Sequence, residues 1–276
     1  MPVGKQCLHQ KNQSSLNQHQ TKQKRIEDLK IVKNKKLNSD YFIIELVSSK
    51  TLPEILPGQF AEVIIKNSKN TFLRRPLSVH NVNYNKNTIS LLIKIVGEGT
   101  SQLALLKKDN FLNLVYPLGN GFSTNNPTRV LLVGGGCGIA PLLYLAKILN
   151  SKKYEVDIII GVRKSTDLIL IDKYSKYGKV YITTEDGSTG EKGFVINHSI
   201  FSQLNNYSMI YACGPEIMMK AVVRCAHKAK INCEVSLENL MACGIGVCLC
   251  CVTNTIVGHK CVCTEGPVFN SKDLLW

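Results

Sequence analysis

The residues best suited to chemistry are cysteines near the C-terminus. Cys243, Cys248 and Cys251 follow one another as Cys-x4-Cys-x2-Cys, and Cys263 comes after a longer interval. This is the order and spacing of a plant-type [2Fe-2S] ligand set, whose thiolates reach two irons only if the loop curls tightly. Gly244 and Gly246 inside the first interval permit that curl and let backbone amides point at sulfur. A structural zinc site and inert buried thiols are the rival readings. Zinc ribbons usually pair two Cys-x2-Cys knuckles, and only one is present. Cys250 and Cys261 are spare thiols, and either can stand in for a ligand. Cys263 is preferred to Cys261 because it directly precedes Thr264-Glu265-Gly266-Pro267, a turn sequence.

A second motif runs from Val130 to Pro141 as Val-Leu-Leu-Val-Gly-Gly-Gly-Cys-Gly-Ile-Ala-Pro. A strand passing through glycines into a helix brings backbone close to a pyrophosphate at the positive helix N-terminus. Tight packing of strand on helix is the bland alternative. The run lacks the G-x-G-x-x-G fingerprint with an acid about 20 residues on, which disfavours a Rossmann dehydrogenase of that kind. Arg74-Arg75-Pro76-Leu77-Ser78 can clamp a phosphate with guanidinium and hydroxyl, although arginines on a strand are more often solvated. Gly97-Glu98-Gly99-Thr100 offers amides and a hydroxyl before a helix, or is simply the start of that helix. No Ser-His-Asp pattern or H-E-x-x-H occurs, and no histidine receives a catalytic role.

The elements that must position these groups fall into blocks. Residues 26–126 read as short strands with turn punctuation: Asp40–Val47, Gln59–Ile65, Leu77–Val82 and Ile89–Val96, with one helix at Thr100–Lys107. That pattern predicts a small antiparallel barrel. In residues 127–236 the pattern changes. Strands at Val130–Val133, Val156–Ile160, Tyr181–Thr184 and Ser208–Ala212 alternate with helices at Ile139–Leu149 and Glu216–Ala229, and a break is expected at Gly134-Gly135-Gly136. This predicts a parallel sheet covered on both faces. Residues 237–276 form a Cys- and Gly-rich appendage too small for a core of its own, which a bound inorganic centre would constrain.

The chain has 276 residues, 44% of them hydrophobic, enough for two domains with buried cores. No run of about 18 apolar residues occurs, so no transmembrane helix is expected. The polar N-terminus lacks an apolar h-region, so no secretory signal is expected either. The net charge of +14 invites a nucleic-acid reading. Residues 1–25, however, carry five basic residues, six glutamines and no acid, which marks a flexible basic tail. The remaining lysines are scattered among apolar runs, so nucleic-acid binding is not expected. Eleven cysteines, six of them in the last 40 residues, point to a redox or metal centre in a reducing, cytoplasmic setting.

Taken in order, Arg-Pro-x-Ser, Gly-Glu-Gly-Thr, the Gly134–Pro141 turn and Cys213-Gly214-Pro215 resemble the ferredoxin–NADP reductase superfamily. The run from Glu238 to Cys251 and the run from Cys263 to Phe269 narrow the likeness. With them the chain resembles the family of electron-transfer subunits of type B, NAD-dependent dihydroorotate dehydrogenase, over roughly residues 27–273. The resemblance implies FAD on the barrel, a [2Fe-2S] cluster in the appendage and NAD on the α/β domain. By position, Arg75, Pro76, Leu77 and Ser78 would contact FAD, Leu92, Ile93 and Lys94 would line the flavin, and Gly99 and Thr100 would meet its phosphates. Gly135, Gly136, Cys213 and Gly214 would flank the nicotinamide nucleotide, and Cys243, Cys248, Cys251 and Cys263 would ligate the cluster. Two departures stand out. Lys94 replaces the arginine of many relatives, which changes bidentate contacts, and Cys137 places a side chain in the glycine turn beside the nicotinamide.

The chemistry then follows from the cofactors. Nicotinamide takes two electrons as hydride and an iron–sulfur cluster passes one, so a flavin must stand between them. The resemblance implies a route from dihydroorotate to a flavin on a catalytic partner subunit, then the cluster, FAD and NAD, serving pyrimidine biosynthesis. It also implies a heterotetramer of two catalytic and two electron-transfer subunits. Orotate chemistry belongs to the partner, in keeping with the missing acid–base constellation. A related subunit of a sulfide dehydrogenase or of an NADH-dependent ferredoxin:NADP reductase is the alternative. A zinc-stabilised nucleic-acid-binding protein is a more distant one.

Overall fold

The computed structural model describes residues 24–66, 68, 70–125 and 127–276; most of the expected tail lies outside them. Alternation along the chain builds the first body. In β1 (Arg25–Lys36) Leu29 and Ile31 are buried while Asp28 and Lys30 face solvent, the period of a half-covered strand. Arg25, assigned to the tail by composition, is the first residue of this strand and pairs with Tyr116. With β2 (Tyr41–Val47), β3 (Phe60–Val63), β4 (Arg75–Asn83), β5 (Thr88–Lys94) and β6 (Phe111–Leu118), it closes an antiparallel barrel in the order β1-β2-β5-β4-β3-β6. Aliphatic side chains fill its interior, among them Leu29, Ile44, Ala61, Val63, Leu91, Ile93 and Leu114. Helix α1 (Glu98–Leu105) follows β5 and begins two residues earlier than the sequence suggests.

The second body is a sheet. β7 (Arg129–Gly135) leads through a short 3-10 turn (Gly136–Ile139) to α2 (Leu142–Ser151). Next come β8 (Glu155–Val162), the short α3 (Ile171–Tyr174), β9 (Lys179–Thr184), β10 (Glu191–Lys192), β11 (Met209–Cys213), α4 (Glu216–Lys228) and β12 (Asn232–Ser236). The strands lie in the order β10-β9-β8-β7-β11-β12 and all run parallel. Side chains of β7 divide between two cores. Leu131 and Val133 pack with Met219 and Val222 of α4, while Val130 and Leu132 pack with Leu142 and Leu145 of α2. Helices therefore cover both faces, as strands alternating with helices require.

One expectation changes here. The glycines do not break β7 at Gly134: both Gly134 and Gly135 stay in the ladder, opposite Ile160 and Gly161, and the chain turns only at Gly136, where φ is +53°. The last forty residues, expected to have no core of their own, pack into the core of this second body. A hairpin of β13 (Val252–Thr255) and β14 (Gly258–Cys261) precedes β15 (Val268–Asn270), and β15 runs antiparallel beside β12 as a seventh strand.

Contacts between these parts place the site. The Tyr144 hydroxyl donates to the Ile55 carbonyl (3.1 Å), Lys147 Nζ to the Val82 carbonyl (2.7 Å) and the Asn120 amide to the Gly266 carbonyl (2.5 Å). The barrel is thus tied to α2 on one side and to the C-terminal segment on the other.

Candidate redox centre

The loop after β12 is shaped around one sulfur. Gly244 and Gly246 adopt φ of +67° and +84°, a region that costs glycine nothing. The curl turns the amides of Ile245, Val247 and Cys248 onto Cys243 Sγ at 3.5, 3.3 and 3.4 Å. These bonds, that from Cys248 first, bring the Cys243 thiol down to about 6, toward the thiolate that a metal ligand requires. Cys248 adds a side-chain bond to the same sulfur. Cys251 and Cys263 make a second pair: both are buried, and the Cys263 amide donates to Cys251 Sγ at 3.4 Å. Burial raises the Cys263 thiol, and its bond to Cys251 raises it further.

Among the described residues no three His, Cys, Asp or Glu side chains converge for a single ion. The sulfurs stand as two pairs, Cys243 with Cys248 and Cys251 with Cys263, which is the arrangement two irons bridged by sulfide accept. The donor set therefore fits the cluster expected from the spacing. Of the spare thiols, Cys250 is exposed, whereas Cys261 lies near Cys251, which helps to raise its pKa after burial.

The expected flavin residues follow β4 and β5. Arg75, Pro76, Leu77 and Ser78 occupy the half-buried first turn of β4. The two arginines part company. Arg74 is committed, donating to the Glu62 carbonyl at 3.2 Å and to Asn113 Oδ1 at 2.6 Å. Arg75 bends back onto the Leu73 carbonyl at 3.1 Å and leaves its guanidinium at the surface. Leu92 and Lys94 share one face of β5, Leu92 packing with Tyr41 and Ile139 and Lys94 Nζ lying 5.6 Å from the Tyr41 ring centroid. Ile93 turns into the barrel core and keeps only its backbone for a ligand outside. At α1 the Thr100 hydroxyl accepts from Val96 and Gly97 amides at 2.9 and 3.2 Å. A Cβ at Gly99 would stand 3.2 Å from Thr71 Oγ1, so the loop before β4 and the start of α1 meet.

The nucleotide turn is a place of close approach. A Cβ on Gly138 would lie 2.3 Å from the Cys213 carbonyl oxygen, and one on Gly214 would lie 3.0 Å from Gly135 Cα. The Gly135–Gly136 turn and the Cys213-Gly214 turn thus stack at the carboxyl ends of β7 and β11. Open sheets of this kind bind ligands there. Cys137 is half-buried, and burial pushes its thiol up to about 11, with Glu238 adding to the rise. It is a neutral side chain at the cleft, not a charged nucleophile.

Sequence patterns missed two titratable groups here. His80 is fully buried, with Nδ1 against the Ala140 carbonyl. Glu62 is 1% exposed, and neither carboxyl oxygen has a hydrogen-bond partner among the described residues. Both follow β-strand alternation outward from the barrel, and only the packing of another segment on that face reveals their burial.

Comparison with known proteins matches this geometry. A family model described as the iron-sulfur cluster binding domain of dihydroorotate dehydrogenase B covers residues 238–275, and one described as an oxidoreductase NAD-binding domain covers residues 132–224. The dihydroorotate dehydrogenase B (NAD(+)) electron transfer subunit of Caldanaerobacter subterraneus subsp. tengcongensis is 38% identical, over 90% of this chain and 97% of its own. That of Clostridium perfringens is 42% identical over 80% and 87%. The solved structure of an NADH-dependent reduced ferredoxin-NADP oxidoreductase superposes with a TM-score of 0.80 at 33% identity, covering 90% of each chain. With barrel, nucleotide sheet and cysteine segment all accounted for, the chain belongs to the family of electron transfer subunits of dihydroorotate dehydrogenase B.

Proposed function

We propose that this chain carries electrons between the catalytic subunit of a dihydroorotate dehydrogenase and NAD, with a [2Fe-2S] cluster and FAD bound along the way. The observation that carries the reading is the amide-lined curl at Cys243 beside a second thiol pair, set on the sheet that also holds the Cys213-Gly214 turn. When bound, flavin exchanges electron pairs with nicotinamide and single electrons with the cluster.

The residues then divide the work. Cys243, Cys248, Cys251 and Cys263 hold iron, and amides directed at Cys243 Sγ stabilise its negative charge. Arg75, whose guanidinium stands at the surface, would hold the FAD diphosphate together with the backbone at Gly99 and Thr100. Pro76, Ser78, Leu92 and Lys94 would shape the flavin seat, with the backbone of Leu77 and Ile93, whose side chains pack on the barrel core, between them. Gly135, Gly136, Cys213 and Gly214 let the nicotinamide nucleotide approach backbone closely.

The cysteine loop carries an apolar surface. Leu240, Ile245, Val247 and Leu249 are exposed around the loop, and Ile256 and Val257 tip the neighbouring hairpin. A patch of this kind marks a protein interface, and we assign it to the catalytic subunit, in a complex of two copies of each chain. Among the described residues no helix is long and apolar enough to cross a membrane; the abundance of thiols supports a reducing, cytoplasmic setting.

The test is dihydroorotate-dependent NADH formation by the anaerobically purified native complex. Activity that vanishes when this chain is removed, and returns with it, supports the reading. NADH oxidation that persists while dihydroorotate gives nothing, and reduced ferredoxin with NADP does, transfers the chain to the role of its solved structural relative.

A further inference from the structure

One buried group is used by none of these assignments. Glu62 stands on β3 with its Cα opposite Pro76 of β4 and Val115 of β6. Its neighbours Ala61 and Val63 fill the barrel, so Glu62 points outward, toward the face that carries Pro76. That face is closed by the cluster loop. A Cβ on Gly244 would sit 2.6 Å from Glu62 Cγ and 2.9 Å from Oε1.

Packing alone does not call for an acid in this seat. An aliphatic side chain would fill it without the cost of desolvating a carboxyl. Nor is it half of an ion pair: Arg74 gives its guanidinium to the Glu62 carbonyl and to Asn113, and Arg75 gives its own to Leu73 and Arg74 carbonyls. Neither carboxyl oxygen has a partner among the described residues.

We propose that Glu62 is a positioning residue of the electron path: it holds the cluster loop at Gly244 against the strand of the flavin contacts, and its carboxyl sets the reduction potential of the cluster. The inference rests on the reading given under Proposed function. A carboxylate in a poorly solvated seat opposes the arrival of an electron nearby, because like charges repel more strongly where water is excluded. Burial raises the carboxyl to about 7; Arg74 and Arg75 oppose the rise and Cys243 adds to it. These are the charged groups facing it from β4 and from the cluster loop. It alters the energy of the cluster's one-electron reduction and adds no step of its own.

The experiment uses the full chain purified anaerobically with its cofactors, as wild type and as Glu62→Gln. Flavin, iron and acid-labile sulfide are measured first, then the cluster midpoint by EPR-monitored potentiometry at pH 8.5. The expected result is unchanged cofactor content with a midpoint shifted to more positive potential in Glu62→Gln. A purely structural role would change cofactor content or melting temperature and leave the midpoint alone. An unshifted midpoint in a fully loaded Glu62→Gln protein overturns the proposal. If that variant does not fold, Glu62→Asp replaces it, since it keeps the charge but withdraws it by one methylene. A displaced midpoint then supports the proposal and an unchanged one overturns it. A wild-type chain that binds flavin but neither iron nor sulfide overturns the underlying reading and the proposal together.

Discussion

His80 Nδ1 lies 2.8 Å from the Ala140 carbonyl, joining β4 of the barrel to the turn that opens α2. A carbonyl only accepts, so Nδ1 carries a proton. Burial depresses its pKa from 6.5 to about 4; the Ala140 bond opposes this and Lys173 adds to it. The folded protein therefore binds fewer protons at this ring than the unfolded chain does between those values. Its stabilising contribution is complete above pH 6.5 and disappears as pH falls toward 4. His80→Asn keeps a donor near the Nδ1 position and removes the titration. Its melting temperature should fall less than that of wild type between pH 7.5 and pH 5; equal falls would refute this account.

The cysteines separate by role. Serine at Cys243, Cys248, Cys251 or Cys263 should abolish bound iron and acid-labile sulfide while FAD remains on the barrel. Serine at Cys250 or Cys261 should leave both at wild-type levels, although Cys261 lies close to Cys251. Metal analysis with the visible spectrum decides it, and iron lost from Cys261→Ser but kept in Cys263→Ser would exchange their roles.

Arg74 and Arg75 are adjacent yet predicted to behave differently. On the proposed role, Arg75→Ala would remove a charge-assisted contact to the diphosphate of about 1.5–3 kcal/mol, so FAD affinity should drop roughly 10- to 150-fold with little change in the melting temperature of the flavin-free protein. Arg74→Ala breaks the bonds to Glu62 and Asn113 and should lower that melting temperature first. Flavin titration by fluorescence and a melting curve on each variant distinguish the two.

Much of this was legible from residue type and spacing. The strands β2 and β5 follow runs of β-branched and aromatic residues, and the cysteine curl follows from its two glycines. What the sequence concealed was tertiary. β1 is so rich in lysine that its inward residues Leu29 and Ile31 give a faint signal, and its buried Glu27 accepts from the Ser48 hydroxyl and Ser49 amide just after β2 and from Tyr116 of β6, all distant in sequence. β12 and β15 are short, and a three-residue strand has too few positions to display a period. Glu62 reads as an ordinary outward strand residue until the loop at Gly244 is folded over it.

Gly138 supplies another prediction. A Cβ there would meet the Cys213 carbonyl carbon and Gly214 Cα, each at 2.5 Å, and these are backbone atoms that yield only if the turn moves. Gly138→Ala should cost about 1–3 kcal/mol, a loss of roughly 2–4 °C in melting temperature for each kcal/mol. It should also raise the KM for NADH, because the two nucleotide turns separate. A variant with wild-type melting temperature and KM would show that the turns do not need their close packing.

The seating of β15 beside β12 limits how this chain can be cut. Removing the cysteine segment would strip Phe269 and Leu274 from the core that α4 covers and leave the outer edge of β12 unpaired. A bare edge of that kind recruits strands from other molecules. A smaller flavin reductase made by trimming this chain would therefore need a new cover for that margin, whether or not it kept any use for iron.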